Sequence, residues 1–246
     1  KNAESQLESL EIKRNDKIVL LLVRDEGYLK KNHPDHGSVI SNKPKIQNAL
    51  INSYLKAIKN LIDKGIKVIR IGTDHENFLQ YENANFIDLF KLKKWSPLLE
   101  TYLNYKCEFV LGTFSGGCIT PFWLFRKPTI FTNHVPVGHF HTNSEKILIT
   151  FKMHYLKKEN RFLKLSEIFD NQLAGSNHSD DYKNKGIELI DNTEEEIDLA
   201  SQEMLKRINN DWTDDEETKI LKNQFLNVYK KNIEKYNHFK GLHGKI

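Results

Sequence analysis

The chain has 246 residues, 39% of them hydrophobic and 11% aromatic, enough for one large core or two small ones. Its 37 basic and 33 acidic residues leave a net charge of +4. The basic residues are spread over polar helix faces rather than gathered on one side, which speaks against a nucleic-acid binder and suits a small anionic ligand.

Two cysteines, Cys107 and Cys118, make no disulfide framework and point to a reducing cytoplasm. The longest apolar run, Ile18–Val23, is far short of the roughly 20 residues that span a bilayer, so membrane contact is expected to be peripheral at most, at the inner membrane. Nothing near Lys1 reads as a secretory signal. The missing methionine and the polar first dozen residues read as a piece of a longer protein or a chain trimmed at its start, with 1–16 a linker or domain remnant.

Ile18–Val23, short, continuous and apolar, predicts a strand covered on both faces. Arg24 to Lys45, with Gly27, Pro34, Gly37 and Pro44, reads as a long loop. From Ile46 to Lys64 apolar residues recur at three-to-four spacing, which predicts an amphipathic helix closed by Gly65. Ile66–Ile71 is the next expected strand, Gly72–Asp74 a turn and Glu76–Tyr81 a short helix. Strands at Asn85–Leu89, Glu108–Gly112 and Pro128–Phe131 then alternate with helices at Pro97–Tyr105 and Ser115–Phe125. Such alternation implies βαβ units, hence an α/β fold with a parallel sheet and helices on both faces. Beyond Asn133 the pattern weakens, and Ala174–Lys185 reads as a polar, mobile segment. Thr193 followed by three glutamates starts a helix to about Asn209, and Thr213 with two aspartates starts another toward the chain end.

Chemistry is best placed at Val110–Cys118, a strand running into a glycine-containing turn. Backbone N–H groups at such a turn converge on an anion, Gly116 and Gly117 let it approach, and Thr113 and Ser115 add hydroxyl donors. A tight strand-to-helix turn without a ligand is the alternative. Arg24 follows the first strand at the edge where parallel sheets bind ligands, and its planar fork suits phosphate. By position alone, a surface ion pair with Asp25 or Glu26 is the first expectation for it. Thr73 and Asp74 end the second strand at the same edge, where Asp74 can also be a helix N-cap. The pairs His33/His36 and His139/His141 lack zinc-site spacing, and no Asp-x-Asp is present, so neither a metal nor another cofactor is expected. Cys107 and Cys118 read as core thiols.

Taken in order, Val23-Arg24, Gly72-Thr-Asp74 and Glu108-Phe-Val-Leu-Gly-Thr-Phe-Ser115 resemble the motifs of the α1,6- and protein O-fucosyltransferases and a related bacterial surface-polysaccharide glycosyltransferase family. The resemblance covers roughly Ile18 to Asn133, with a weaker match through Asn192–Ile197. It implies a Rossmann-like domain forming the C-terminal, donor-binding half of a GT-B arrangement, here residues 17–246, with an acceptor domain missing. It implies that Arg24 contacts the β-phosphate of a GDP-sugar, that Thr73 and Asp74 line the donor pocket, and that Glu100 reads the guanine edge. Thr113, Phe114, Ser115, Gly116 and Gly117 would close over the pyrophosphate.

The chain departs from that pattern at Leu22, where the family has histidine, at Gly116, where it has a second serine, and at Glu100, where it has aspartate. The implied reaction is metal-independent, inverting transfer to a glycan or lipid-linked acceptor. Arg24 and the turn at Ser115 would stabilise the leaving diphosphate, and Asp25 and Glu26 are the nearest carboxylates for a general base. A non-catalytic module that binds a nucleotide sugar or glycan is the second reading. A dehydrogenase is the third, and Arg24–Asn32 lacks the Gly-x-Gly-x-x-Gly turn it needs.

Overall fold

The computed structural model describes residues 3–32, 45–139 and 146–233. Helix α1 (Ala3–Glu8) leads to strand β1 (Ile18–Leu22), followed by the short helix α2 (Gly27–Asn32) and by α3 (Leu55–Asp63). Strands β2 (Lys67–Arg70) and β3 (Phe86–Asp88), helix α4 (Pro97–Lys106), and strands β4 (Phe109–Gly112), β5 (Thr129–His134) and β6 (Ile147–Phe151) complete the main sheet. All its pairings are parallel and the order is β3-β2-β1-β4-β5-β6. The chain winds outward from β1 to β3, then returns to the other side of β1 for β4 to β6. This is a doubly wound, Rossmann-like α/β sheet whose direction switches between β1 and β4.

The unbroken apolar run of β1 follows from this central place. Val19 and Leu21 pack on one face with Ile58 and Leu61 of α3 and with Ile197 and Met204 further along the chain. Ile18, Leu20 and Leu22 pack on the other face with Leu99 and Leu103 of α4. Leu7, Leu10 and Ile12 are buried in that second cluster, and Ser96 Oγ donates to Gln6 Oε1 at 2.6 Å, so the stretch from Gln6 to Ile12 packs onto α4.

Several elements differ from expectation, each for a local reason. The helix expected from Ile46 begins only at Leu55, after two 3-10 turns at Lys45–Gln47 and Ile51–Tyr54. Between these turns the backbone is committed elsewhere: Ala49 N–H donates to Arg24 O at 3.1 Å, and Asn48 O accepts from Lys152 Nζ at 2.9 Å. No helix forms over Glu76–Tyr81. There the N–H groups of Glu76 and Asn77 donate to the Asp25 carboxylate at 3.0 and 3.2 Å, while Asn77 O accepts from Arg70 at 2.7 Å. The Ser115–Phe125 helix is instead a 3-10 turn at Gly116–Cys118 and a π-helical turn at Thr120–Leu124, where Pro121 has no N–H for an α ladder. Pro34, Gly37 and Pro44 of the expected loop lie outside the described residues.

After Asn133 the sequence understates the order present. Beside the sixth parallel strand lies a three-stranded antiparallel sheet of β7 (Met153–Leu156), β8 (Arg161–Phe162) and β9 (Ile187–Ile190), in the order β8-β7-β9. Helices α5 (Leu165–Asp170) and α6 (Ser179–Lys183) pack beside it. The segment expected to be mobile therefore holds a helix, and Ala174 and Tyr182 are buried in a third cluster. The Tyr182 hydroxyl donates to Ser176 O at 2.9 Å, tying the polar stretch down.

Asn133 and Asn192 clamp the small sheet to the main one. Asn133 N–H donates to Asn192 Oδ1, and Asn192 N–H to Asn133 Oδ1, both at 2.6 Å. Asn133 sits at φ 53°, a left-handed position that asparagine tolerates. Helix α7 (Glu194–Ile208) follows, started by the Thr193/Glu196 capping box, and α8 (Glu216–Ile233) packs Phe225 and Tyr229 into the third cluster.

The small sheet carries a pH-sensitive group. His154 on β7 is 2% exposed, and burial pushes its pKa down to about 4, against a weaker upward pull from the Lys152 carbonyl. The unfolded chain then binds a proton that the fold excludes. Stability is complete above the unfolded value and falls as pH drops from about 6.5 toward 4, by roughly 3 kcal/mol. Urea titrations across that window should show the loss, and His154→Phe should flatten it.

Candidate functional site

At the switch point between β1 and β4, the turns that follow β1, β2 and β4 line a cleft of about 430 Å³. The backbone there is fixed from both sides: Thr113 N–H donates to Leu22 O at 2.9 Å, and Arg24 N–H donates to Thr113 Oγ1 at 2.8 Å. Close approach of the two strands requires Gly112, because a Cβ at that position would lie 1.9 Å from Leu22 O.

Arg24 lines the cleft, partly buried, and burial lowers its pKa from the ordinary value without removing its charge. Its Nη1 donates to Gln47 Oε1 at 2.6 Å, and Gln47 Nε2 continues to Asn177 Oδ1 at 3.3 Å. Among the described residues no carboxylate lies within ion-pair distance of Arg24. The expected competitors are engaged elsewhere. Asp25 is buried and accepts from Gly27, Glu76 and Asn77 N–H, with Arg70 at 3.8 Å and His75 at 3.7 Å, while Glu26 pairs with Lys30 at 3.3 Å. Burial alone would raise the Asp25 pKa, but the His75 bond and the backbone N–H groups hold it below the ordinary carboxylate value. These contacts make Asp25 a positioning group for the loop at Glu76 and Asn77.

Ser115, Gly116 and Gly117 line the same cleft as Arg24. A Cβ at Gly116 would meet nothing within 4 Å, so the open side of this glycine faces unfilled space. Thr73 and Glu100 line it as well. Glu100, in the first turn of α4, accepts from Gly72 N–H at 3.3 Å and from the Trp95 indole N–H.

Three of the expected residues support the cleft instead of lining it. Thr113 is buried, its hydroxyl oxygen taken by Arg24 N–H. Phe114 packs edge-on against Phe131 and His134, at centroid distances of 5.4 and 5.8 Å. Asp74 caps no helix: at φ 59° it pairs with Lys31 and accepts from Asn32 Nδ2 at 3.2 Å, fastening α2 to the second turn. Four cleft residues carry no sequence signal of the kind used above: Tyr28, Leu29, His75 and Trp95. His75 and Leu22 flank Gly72, with His75 Nε2 and Leu22 Cδ1 3.2 and 3.4 Å from where its Cβ would be.

Burial pushes the Cys118 thiol up to about 11 and the Cys107 thiol up to about 12, so neither is a ready nucleophile. Among the described residues no group of three or more histidine, cysteine, aspartate or glutamate side chains is placed to hold a metal ion, and His33, His36 and His141 lie outside those residues. Among them, too, no helix is long and apolar enough to cross a membrane. No protein-family model matches the chain, and no curated protein matches it at a significant level. What the chain itself establishes is a Rossmann-like α/β protein with an open, arginine-bearing cleft at the switch point of its parallel sheet.

Proposed function

We propose that this chain is the donor-binding half of a GT-B glycosyltransferase that uses a nucleotide-diphosphate sugar, GDP-linked by preference, in the synthesis of a surface polysaccharide or glycoconjugate. The observation that carries the reading is Arg24, a guanidinium without a carboxylate partner among the described residues, lining one cleft with Gly116 and Gly117. A diphosphate in the cleft would meet the charged fork of Arg24 and the unobstructed backbone at Gly116. Glu100 and Trp95, which also line the cleft, offer a hydrogen-bond acceptor and an aromatic surface for the base. The leaving diphosphate would be stabilised by Arg24 and the turn rather than by a divalent ion.

The second reading, a module that binds the nucleotide sugar without catalysis, draws on Asp25: its carboxylate is engaged by three backbone N–H groups and is a poor proton acceptor. A missing acceptor domain would then supply the base. The test is to measure binding of GDP-, UDP- and dTDP-sugars, and GDP release with acceptor present, in EDTA. Tight GDP-sugar binding with EDTA-resistant release is expected. Binding without release selects the module, and release restored only by Mn²⁺ or Mg²⁺ overturns the metal-independent mechanism.

A further inference from the structure

A second cavity, of about 510 Å³, opens between the carboxyl edge of the main sheet and the small sheet, and Asp25 belongs to the walls of both this cavity and the Arg24 cleft. Its inner wall holds polar groups that the fold leaves unsatisfied. Ser179, only 7% exposed, has an Oγ with no hydrogen-bond partner, and the buried Oδ1 of Asn48 has none either. Lys152, 5% exposed, donates to Asp191 Oδ1 at 2.6 Å and Asn48 O at 2.9 Å, which leaves one of an ammonium's three N–H groups. On the rim, Glu26 and Glu76 share Lys30 at 3.3 and 2.9 Å. Between these groups lie the apolar side chains of Ile46, Leu50 and Leu189.

The lining carries more carboxylates than ammonium groups, which disfavours a phosphate. A sugar ring matches it: hydroxyls can donate to Asn48 Oδ1 and the carboxylates and accept from Lys152, and the ring's C–H face can lie on the apolar side chains. We propose that this cavity binds a neutral, hydroxyl-rich sugar and is the acceptor subsite, an assignment of role that rests on the donor reading above. The two sites then meet at Asp25, where a sugar hydroxyl from one would approach the donor in the other.

The test is amide NMR on the full chain, titrated separately with methyl β-galactoside, methyl α-mannoside, N-acetylglucosamine and pyrophosphate. At least one glycoside should shift the amides of Asn48, Ser179 and Leu189 saturably, and pyrophosphate should shift Gly116 and Gly117 instead. Asn48→Ala, which keeps the carbonyl that Lys152 uses, and Ser179→Ala should each weaken the glycoside about fivefold, the size of one hydrogen bond. Pyrophosphate binding should be unchanged in both variants. No glycoside shifts at these amides, unaltered affinity in both variants, or displacement of the glycoside by pyrophosphate overturns the inference. Glycoside binding here with no pyrophosphate or GDP binding at the cleft overturns the donor reading, and the acceptor role with it.

Discussion

Arg24→Ala is expected to weaken GDP and GDP-sugar binding by about tenfold to a hundredfold, because a charged hydrogen bond contributes roughly 1.5–3 kcal/mol. A nucleoside without phosphates should bind the variant almost as well as the parent. The fold should survive, since the side chain's recorded partner is Gln47, itself partly exposed, and Arg24 is held in place through its backbone N–H and C=O. Lysine at position 24 should recover only part of the loss, for a point charge cannot span two phosphate oxygens. Gly116→Val is the steric counterpart: its side chain enters open space without clashing with the protein, yet occupies the approach to the turn. Calorimetry on the folded variants reads both. If Arg24→Ala binds GDP as tightly as the parent, the phosphate site lies elsewhere.

Gly112→Ala should act on the fold itself. A methyl group there would stand 1.9 Å from Leu22 O, 2.6 Å from Leu22 C and 3.1 Å from Leu22 N. All three are backbone atoms of the neighbouring strand, so no rotamer change relieves the overlap. β1 must separate from β4 at the centre of the sheet, where both faces are packed. The expected cost is more than about 4 kcal/mol, a large part of the roughly 5–15 kcal/mol that stabilises a typical domain. Urea unfolding and near-ultraviolet circular dichroism should show a chain without fixed tertiary packing. Gly116→Ala, four residues on, is the control: its Cβ meets nothing within 4 Å, and its unfolding midpoint should stay near the parent's. A Gly112→Ala protein as stable as that control would mean that the two strands pair differently.

The parallel sheet was legible because its strands are buried on both faces and read as apolar runs, as in Ile18–Leu22, and because α4 and α7 begin with clear capping residues at Ser96 and Thr193. What escaped lies where polarity and structure part company. β6 is an edge strand of half-buried residues, and β7 alternates Met153 and Tyr155 outward with His154 and Leu156 inward, over four residues only. Glu76–Tyr81 has a helical pattern, but its backbone groups are taken by Asp25 and Arg70, residues remote in sequence.

The candidate site divides in the same way. Strand ends locate residues at an edge, and Arg24, Thr73, Ser115, Gly116 and Gly117 do converge on one cleft. Which way each side chain turns from that edge depends on packing: Thr113, Phe114 and Asp74 turn into the supporting structure. His75 and Trp95 reach the cleft from irregular loops and Tyr28 from the single short turn of α2, where no period in the sequence marks them.

The asparagine clamp between Asn133 and Asn192 bears on motion. Its two bonds join the chain at β5 to the chain leaving β9, and Asn192 Oδ1 also accepts from Thr150 at 2.8 Å while its amide reaches Phe151 O at 3.0 Å. Three strands thus share one fastening, with most of its atoms out of water. The small sheet is riveted to the main one, and any rigid-body shift between the two sheets would have to break these four hydrogen bonds together.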